Sequence, residues 1–260
     1  MDNEINRLKQ RYEKAIQTWE DVHGKEWRKN NNIDKLKQLD NILNRGFWFC
    51  TKNPENKILL SMLNPSYGQK DNPIPIPLLN IQKLHLYKNN KNDFWRPWME
   101  ILKEYICSDM VAHIDLFPVR ESSQKTFSST LPNELKAELL RVTQKEIERL
   151  HPELIIHANK TTGFYYGKNP KHPWMGYDLQ RIHDSDLDKK GDLYVIKGLL
   201  NDPRRILYLD SKNNGLYSTN LEGKYLYVCY QQTGKYVQKK PELLLNKKDI
   251  DILVEKYTNL

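Results

Sequence analysis

Three apolar runs in this chain end on side chains of the kind that orient a water or read the edge of a base. They are Met62-Leu63-Asn64-Pro65-Ser66, Asp115-Leu116-Phe117-Pro118 and Ile156-His157-Ala158-Asn159. The first is the sharpest: the run Ile58 to Leu63 stops at Asn64-Pro65, and the Ser66, Tyr67 and Gly68 that follow force the backbone out of a strand at once. An amide such as Asn64 is no general base at neutral pH, so its chemistry is limited to orienting a water by hydrogen bonds. Orientation suffices for a sugar reaction through an oxocarbenium-like cation, because the leaving group departs before the water commits. The competing reading is that Asn64 opens a turn before Pro65 and caps backbone groups.

Asp115 lies among apolar residues near the end of its run, and a buried carboxylate there is either a site residue or half of a pair with a cation such as Arg120. Tyr67, outside its strand, is a stacking candidate, as is Phe117, whose alternative is a place in the core. Asn159 can read the polar edge of a base through its paired donor and acceptor, or close a turn before Thr161-Thr162-Gly163. Ser66, Gln231 and Gln232 complete the substrate-binding candidates, and Arg120, Lys160 and Lys235 are candidates for phosphate contacts. His113 and His157 fall inside strands and read as satisfied core or face residues. His172, His183, Asp178, Asp184, Asp186 and Asp188 form a loose group without ligand spacing, so no metal is expected. Phosphate-loop, nucleophile-elbow and dinucleotide-binding glycine patterns are absent from the sequence, and no cofactor is expected.

The elements that must position these residues follow from periodicity. Ile5, Leu8, Tyr12, Ile16 and Trp19 have helical spacing, Asn30-Asn31-Asn32 interrupts, and Ile33 to Leu43 resumes, which predicts a helical extension over 1–45. Phe47 to Leu63 reads as a hairpin turning at 52–56. The prolines at 73, 75 and 77 dictate an extended loop over 69–77, followed by a short helix at 78–87. A crossover helix over 94–106, a strand over 110–118, a strong amphipathic helix over 132–150 and a strand over 153–159 follow. This alternation predicts a parallel sheet with right-handed crossovers. Residues 168–203 read as an irregular insertion, 205–209 and 224–230 as strands, and 241–260 as a C-terminal helix, so the α/β domain spans 46–240.

The 260 residues carry 41 Lys and Arg against 33 Asp and Glu, a net charge of +8 that permits binding to phosphate backbones without demanding it. Three cysteines lie far apart, which fits a reducing compartment and no disulfide framework. The first ten residues lack a signal-like apolar core, and no apolar run approaches the roughly 20 residues that span a bilayer. The expectation is a soluble, cytoplasmic monomer with no membrane contact.

The first strand exit resembles the Gly-x-Asn-Pro-Gly motif of the mismatch-specific and single-strand-selective branches of the uracil-DNA glycosylase superfamily. It is more similar still to the Leu-Asn-Pro-Ser form of an uncharacterised bacterial branch, in which a Leu-Phe segment ends the next strand as Leu116-Phe117 does. The resemblance implies a three-layer α/β/α sandwich with a mainly parallel four-stranded central sheet. It also implies that Asn64 positions the water attacking C1′ of a flipped nucleotide, with DNA or a nucleotide as partner, and that the loop from Gln231 to Lys235 faces the minor groove. Met62 and Ser66 stand where the family has glycines, and no His follows Lys224 to Tyr230, where the family has one. Two readings follow: a glycosylase acting on a modified or damaged base, or a catalytically inactive nucleic-acid or nucleotide binding or sensing module of the same fold.

Overall fold

The computed structural model describes residues 2–49, 57–67, 95–169, 171–201, 216, 218–230, 232 and 240–259. The segments 69–77, 78–87, 205–209 and 52–56, expected as a loop, a helix, a strand and a turn, lie outside them, as do Gln231 and Lys235.

Four apolar segments pair in parallel: β1 (Ile58–Met62), β2 (Val111–Asp115), β3 (Leu154–His157) and β6 (Tyr225–Cys229). Two further strands, β4 (Tyr177–Ile182) and β5 (Gly191–Leu199), add an antiparallel margin, giving a six-stranded sheet in the order β2-β1-β3-β6-β5-β4. The segment 168–203, expected to be irregular, thus holds two strands. β4 is an edge strand with Asp178, Gln180 and Arg181 exposed, so its alternation is weak, and the polar loop 183–190 hides its partner. Phe47 does not begin a hairpin with β1; it bridges Val119 in antiparallel fashion, and Trp48 N donates to Pro118 O at 2.9 Å.

Side chains alternate across the sheet and bury both faces. Ile58, Leu60, Met62, Leu154, Ile156 and Tyr227 pack against α4 (Trp95–Ile101), α5 (Lys103–Cys107) and α8 (Lys247–Tyr257), through Trp98, Leu102, Ile106, Ile250 and Leu253. The helix expected over 94–106 is therefore two short pieces that meet at Leu102. Leu59, Ile114, Ile155 and Leu226 face the other layer. That layer comprises α1 (Asp2–Trp19), which continues through a π-helical turn into α2 (Lys25–Lys29), then α3 (Ile33–Asn44), α6 (Gln124–Thr130) and α7 (Asn133–Leu150). The N-terminal helices share one apolar cluster with the sheet: Leu8, Tyr12 and Trp19 are buried in it.

The chain leaves β1 for β2 past α4 and α5 on one face, then returns past α6 and α7 on the other to β3. β1 and β3 therefore flank the point where the winding reverses, which is where open parallel sheets place their ligands, beyond the carboxyl ends of the strands. Asn64 follows β1 there, and Asn159 follows β3.

Candidate functional site

The exits of β1 and β2 run side by side. Leu116 N donates to Met62 O at 2.8 Å, Phe117 N to Leu63 O at 2.9 Å and Glu121 N to Pro65 O at 3.0 Å. Asn64 sits in this ribbon with its amide nitrogen between two carbonyls, donating to Glu121 O at 2.6 Å and to Pro65 O at 3.1 Å. Both amide hydrogens are thereby used, and Oδ1 is left as an acceptor without a donor among the described residues. An amide held this way can take one hydrogen bond from a water and so aim its oxygen lone pair.

Tyr67 is fixed by Ser122, which accepts from Tyr67 N at 2.9 Å and donates to Tyr67 O at 2.5 Å. Its ring lies under two guanidinium groups, Arg45 at 4.3 Å and Arg120 at 5.2 Å. Arg45, at the C-terminal end of α3, also donates to Glu121 Oε2 at 2.7 Å and to Arg120 O at 3.2 Å. The helical extension thus reaches the strand exits through Arg45, a contact no spacing rule reveals because Arg120 and Glu121 lie more than 70 positions away. Ser66 is exposed beside them.

At the neighbouring exit Asn159 is 4% exposed. Its Oδ1 accepts from Thr161 N at 3.1 Å and from Thr161 Oγ1 at 2.7 Å, so the turn reading of Asn159 holds for the oxygen. Its Nδ2 is buried with no acceptor among the described residues. A buried amide NH2 without a partner costs roughly 1–3 kcal/mol, a cost that a ligand acceptor would relieve. Lys160 beside it lies 3.4 Å from Asp192 and 5.0 Å from the centre of the Tyr230 ring. Gln232 is buried and donates to Tyr230 O at 3.2 Å.

Behind these exits lies a buried chain of hydrogen bonds that the sequence did not reveal. Tyr166 OH donates to Ser61 Oγ at 2.7 Å, Ser61 meets His157 Nδ1 at 3.2 Å, His157 Nε2 meets Thr162 Oγ1 at 2.9 Å, and Thr162 donates to Asn159 O at 3.2 Å. The direction is consistent from end to end if Ser61 donates to Nδ1, which makes His157 the neutral Nε2–H tautomer. Burial agrees, holding this imidazole down to about 3. Ser61 and His157 are wholly buried, so this is a scaffold joining β1 to β3 and not an exposed nucleophile–base pair.

Two candidates lie elsewhere. Phe117 is fully buried with its ring 5.0 Å from both Phe127 and Tyr165, so the core reading of that residue is the one its surroundings support. Asp115 borders a cleft of about 10 Å³ with Tyr12, Trp48 and Glu146, space for one water at most. His113 Nε2 lies 3.8 Å from Asp115 Oδ1. Burial pushes the carboxyl well above the usual carboxylate range and the imidazole down to about 3, so the histidine is neutral at pH 7 and supplies no positive charge to hold the carboxylate ionised. Among the described residues no three His, Cys, Asp or Glu side chains are grouped to hold a metal ion. Asp184 instead accepts from Lys256 and Tyr257.

No protein-family model matches the sequence, and no curated protein matches it. Among the described residues no helix is long and apolar enough to cross a membrane.

Proposed function

We propose that this chain is a nucleic-acid-binding protein of uracil-DNA glycosylase-like architecture that hydrolyses the N-glycosidic bond of a modified or damaged nucleotide flipped against the ends of β1 and β3. The observation that carries the reading is the fixed amide of Asn64: both hydrogens are tied to carbonyls, and Oδ1 is turned over to accept from a water. In the reaction the C1′–N bond breaks first, the sugar carries cationic character, and the water aligned by Asn64 adds to C1′ and gives up a proton that neutralises the departed base anion. The base leaves with the bonding pair, and a hydrogen-bond donor must meet it. Asn159 Nδ2–H is the donor at the adjacent strand end, while Gln232, in the region where the superfamily carries its His, is turned back onto Tyr230 O. Tyr67, stiffened by two arginines, borders the same exit.

The test is a panel of single- and double-stranded oligonucleotides bearing uracil, hypoxanthine and bulkier modified bases, with protein in excess and abasic sites read by alkaline cleavage. Cleavage with at least one base, lowered about 100-fold or more in Asn64→Ala, is the expected result. No abasic product with any member sinks the reading.

A second reading, a binding or sensing module without chemistry, is favoured by one observation: Gln231-Gln232-Thr233-Gly234, with no His, follows Tyr230 after β6. Oligonucleotide binding that persists in Asn64→Ala, without excision by either protein, is its signature.

A further inference from the structure

Asp192 opens β5, where antiparallel pairing sets it opposite Val228 of β6, itself opposite His157 of β3. Asp192 therefore lies two strand spacings, or roughly 10 Å, from His157, at the rim of the sheet where Asn159 follows β3. Three cations converge on it from three different segments. Lys168 Nζ lies 2.5 Å from Oδ2, Arg181 Nη2 3.2 Å from Oδ1 and Lys160 Nζ 3.4 Å from Oδ1. Asp192 is nearly buried, whereas the three cations are each between a quarter and a half exposed. Two aromatic rings lie under the same lysines, Tyr230 beneath Lys160 at 5.0 Å and Tyr194 beneath Lys168 at 5.7 Å.

One carboxylate needs one cation for neutrality, and this one has three. The cluster keeps a surplus of two positive charges, with ammonium and guanidinium hydrogens beyond those the two carboxylate oxygens can accept. Burial alone would raise the Asp192 carboxyl. The bond from Lys168 and the fields of Lys160 and Arg181 hold it below the usual carboxylate range, so it stays ionised as the hub that gathers the cations. Gathering like charges around a hub prepares a site for a further anion, and Asn159 Nδ2, next to Lys160, is a second donor at this rim with no acceptor among the described residues.

We propose that Lys160, Lys168 and Arg181, assembled on Asp192, form a phosphate site that holds a phosphodiester of the nucleic-acid strand beside the nucleotide at Asn64 and Asn159. The assignment of the phosphate to a strand rests on the nucleic-acid reading above; the cation cluster itself does not. The site anchors the backbone next to the exits, with Tyr230 bordering it.

The test is the salt dependence of binding, which counts phosphate contacts without requiring excision. Fluorescein-labelled oligothymidylate is titrated by anisotropy from low to moderate salt against the wild type, Lys168→Gln, Arg181→Gln and the double variant. Lys197→Gln, an exposed lysine on β5 outside the cluster, is the control. The expected result is a slope of log K against log salt reduced by about 0.7 for each cluster substitution and unchanged in the control. Thermal unfolding of each variant verifies that the fold persists. If the wild type binds and the cluster variants keep its slope, the site is overturned while the nucleic-acid reading stands. If the wild type binds no oligonucleotide at low salt, the nucleic-acid reading fails and the strand assignment with it. Calorimetric titration with inorganic phosphate and with a nucleoside monophosphate separates the sources. Binding of either that Arg181→Gln abolishes, without oligonucleotide binding, overturns the strand assignment in favour of a free phosphate ligand.

Discussion

The amide of Asn64 has a defined orientation because both atoms facing its nitrogen are carbonyl oxygens, which can only accept. Replacing the nitrogen by oxygen turns two bonds into two repulsions. Asn64→Asp is therefore expected to lower stability by about 1–3 kcal/mol in urea unfolding, and by more than Asn64→Ala, which merely leaves the carbonyls to water. Equal or higher stability for Asn64→Asp would show that the amide is not held as described. At this scale the sequence was legible where a polar side chain ends an apolar run and bonds to the turn it opens, as at Asn64 and Asn159. It was illegible where a polar residue hides in an apolar run. Ser61 sits inside Ile-Leu-Leu-Ser-Met-Leu, and only the cross-strand register brings it to His157 and Tyr166. Phe117 has the composition of a stacking residue, and only the arrival of Phe127 and Tyr165 decides that its ring is enclosed.

Among the elements, α1 has the most specific attachment. Glu146 on α7 is completely buried and accepts from Arg7 at 3.0 Å on both oxygens, from Arg11 at 3.3 Å and from Arg149. Four residues along α1 from Leu8, Tyr12 meets Thr143 at 2.8 Å, and Thr143 donates to Leu116 O at 2.7 Å, which carries the attachment to the exit of β2. Glu146→Ala removes the common acceptor of three partly buried arginines, and its expected cost is about 3 kcal/mol, seen as a lower urea midpoint at unchanged slope. A midpoint within error of wild type would mean that solvent replaces the carboxylate and that apolar contacts alone hold α1. The longer helices α1, α3, α7 and α8 and the four parallel strands were legible because each carries a clear period or a continuous apolar run, whereas the short α6, with Phe127 as its one large apolar residue, was not legible at all. The β4–β5 hairpin was not, and with it went Lys168, Arg181 and Asp192. The exposed edge strand β4 lacks the second apolar face that would mark it, and its partner β5 joins the sheet through β6, which lies some thirty positions downstream of β5.

For the molecule as a whole, pH tests whether the interior is arranged as described, because the strands bury two imidazoles and one carboxyl whose titrations burial displaces. His113 and His157 fall from an ordinary 6.5 to about 3 on burial. As pH falls below 6.5 the unfolded chain takes up protons that the folded chain refuses. Their contribution is complete above pH 6.5 and is lost as pH falls through that range toward about 3. Two such groups give a slope approaching about 2.7 kcal/mol per pH unit. Asp115 acts in the opposite sense, since burial raises its carboxyl: the folded chain keeps a proton there that the unfolded chain has released, so its contribution is present at low pH and is lost as pH rises. Where the windows overlap, Asp115 offsets one histidine. Between pH 6.5 and about 4.5 the ordinary carboxylates are still ionised and contribute little. Urea unfolding across that interval is expected to show His157→Gln shallower than wild type and Asp115→Asn steeper, each by up to one proton, or about 1.4 kcal/mol per pH unit. Parallel slopes for all three proteins would mean that these groups exchange protons with solvent in the folded state. The strand cores at Leu60–His113 and Ser61–His157 would then be open to water, and the scaffold that holds Asn64 and Asn159 would not be the dry one described.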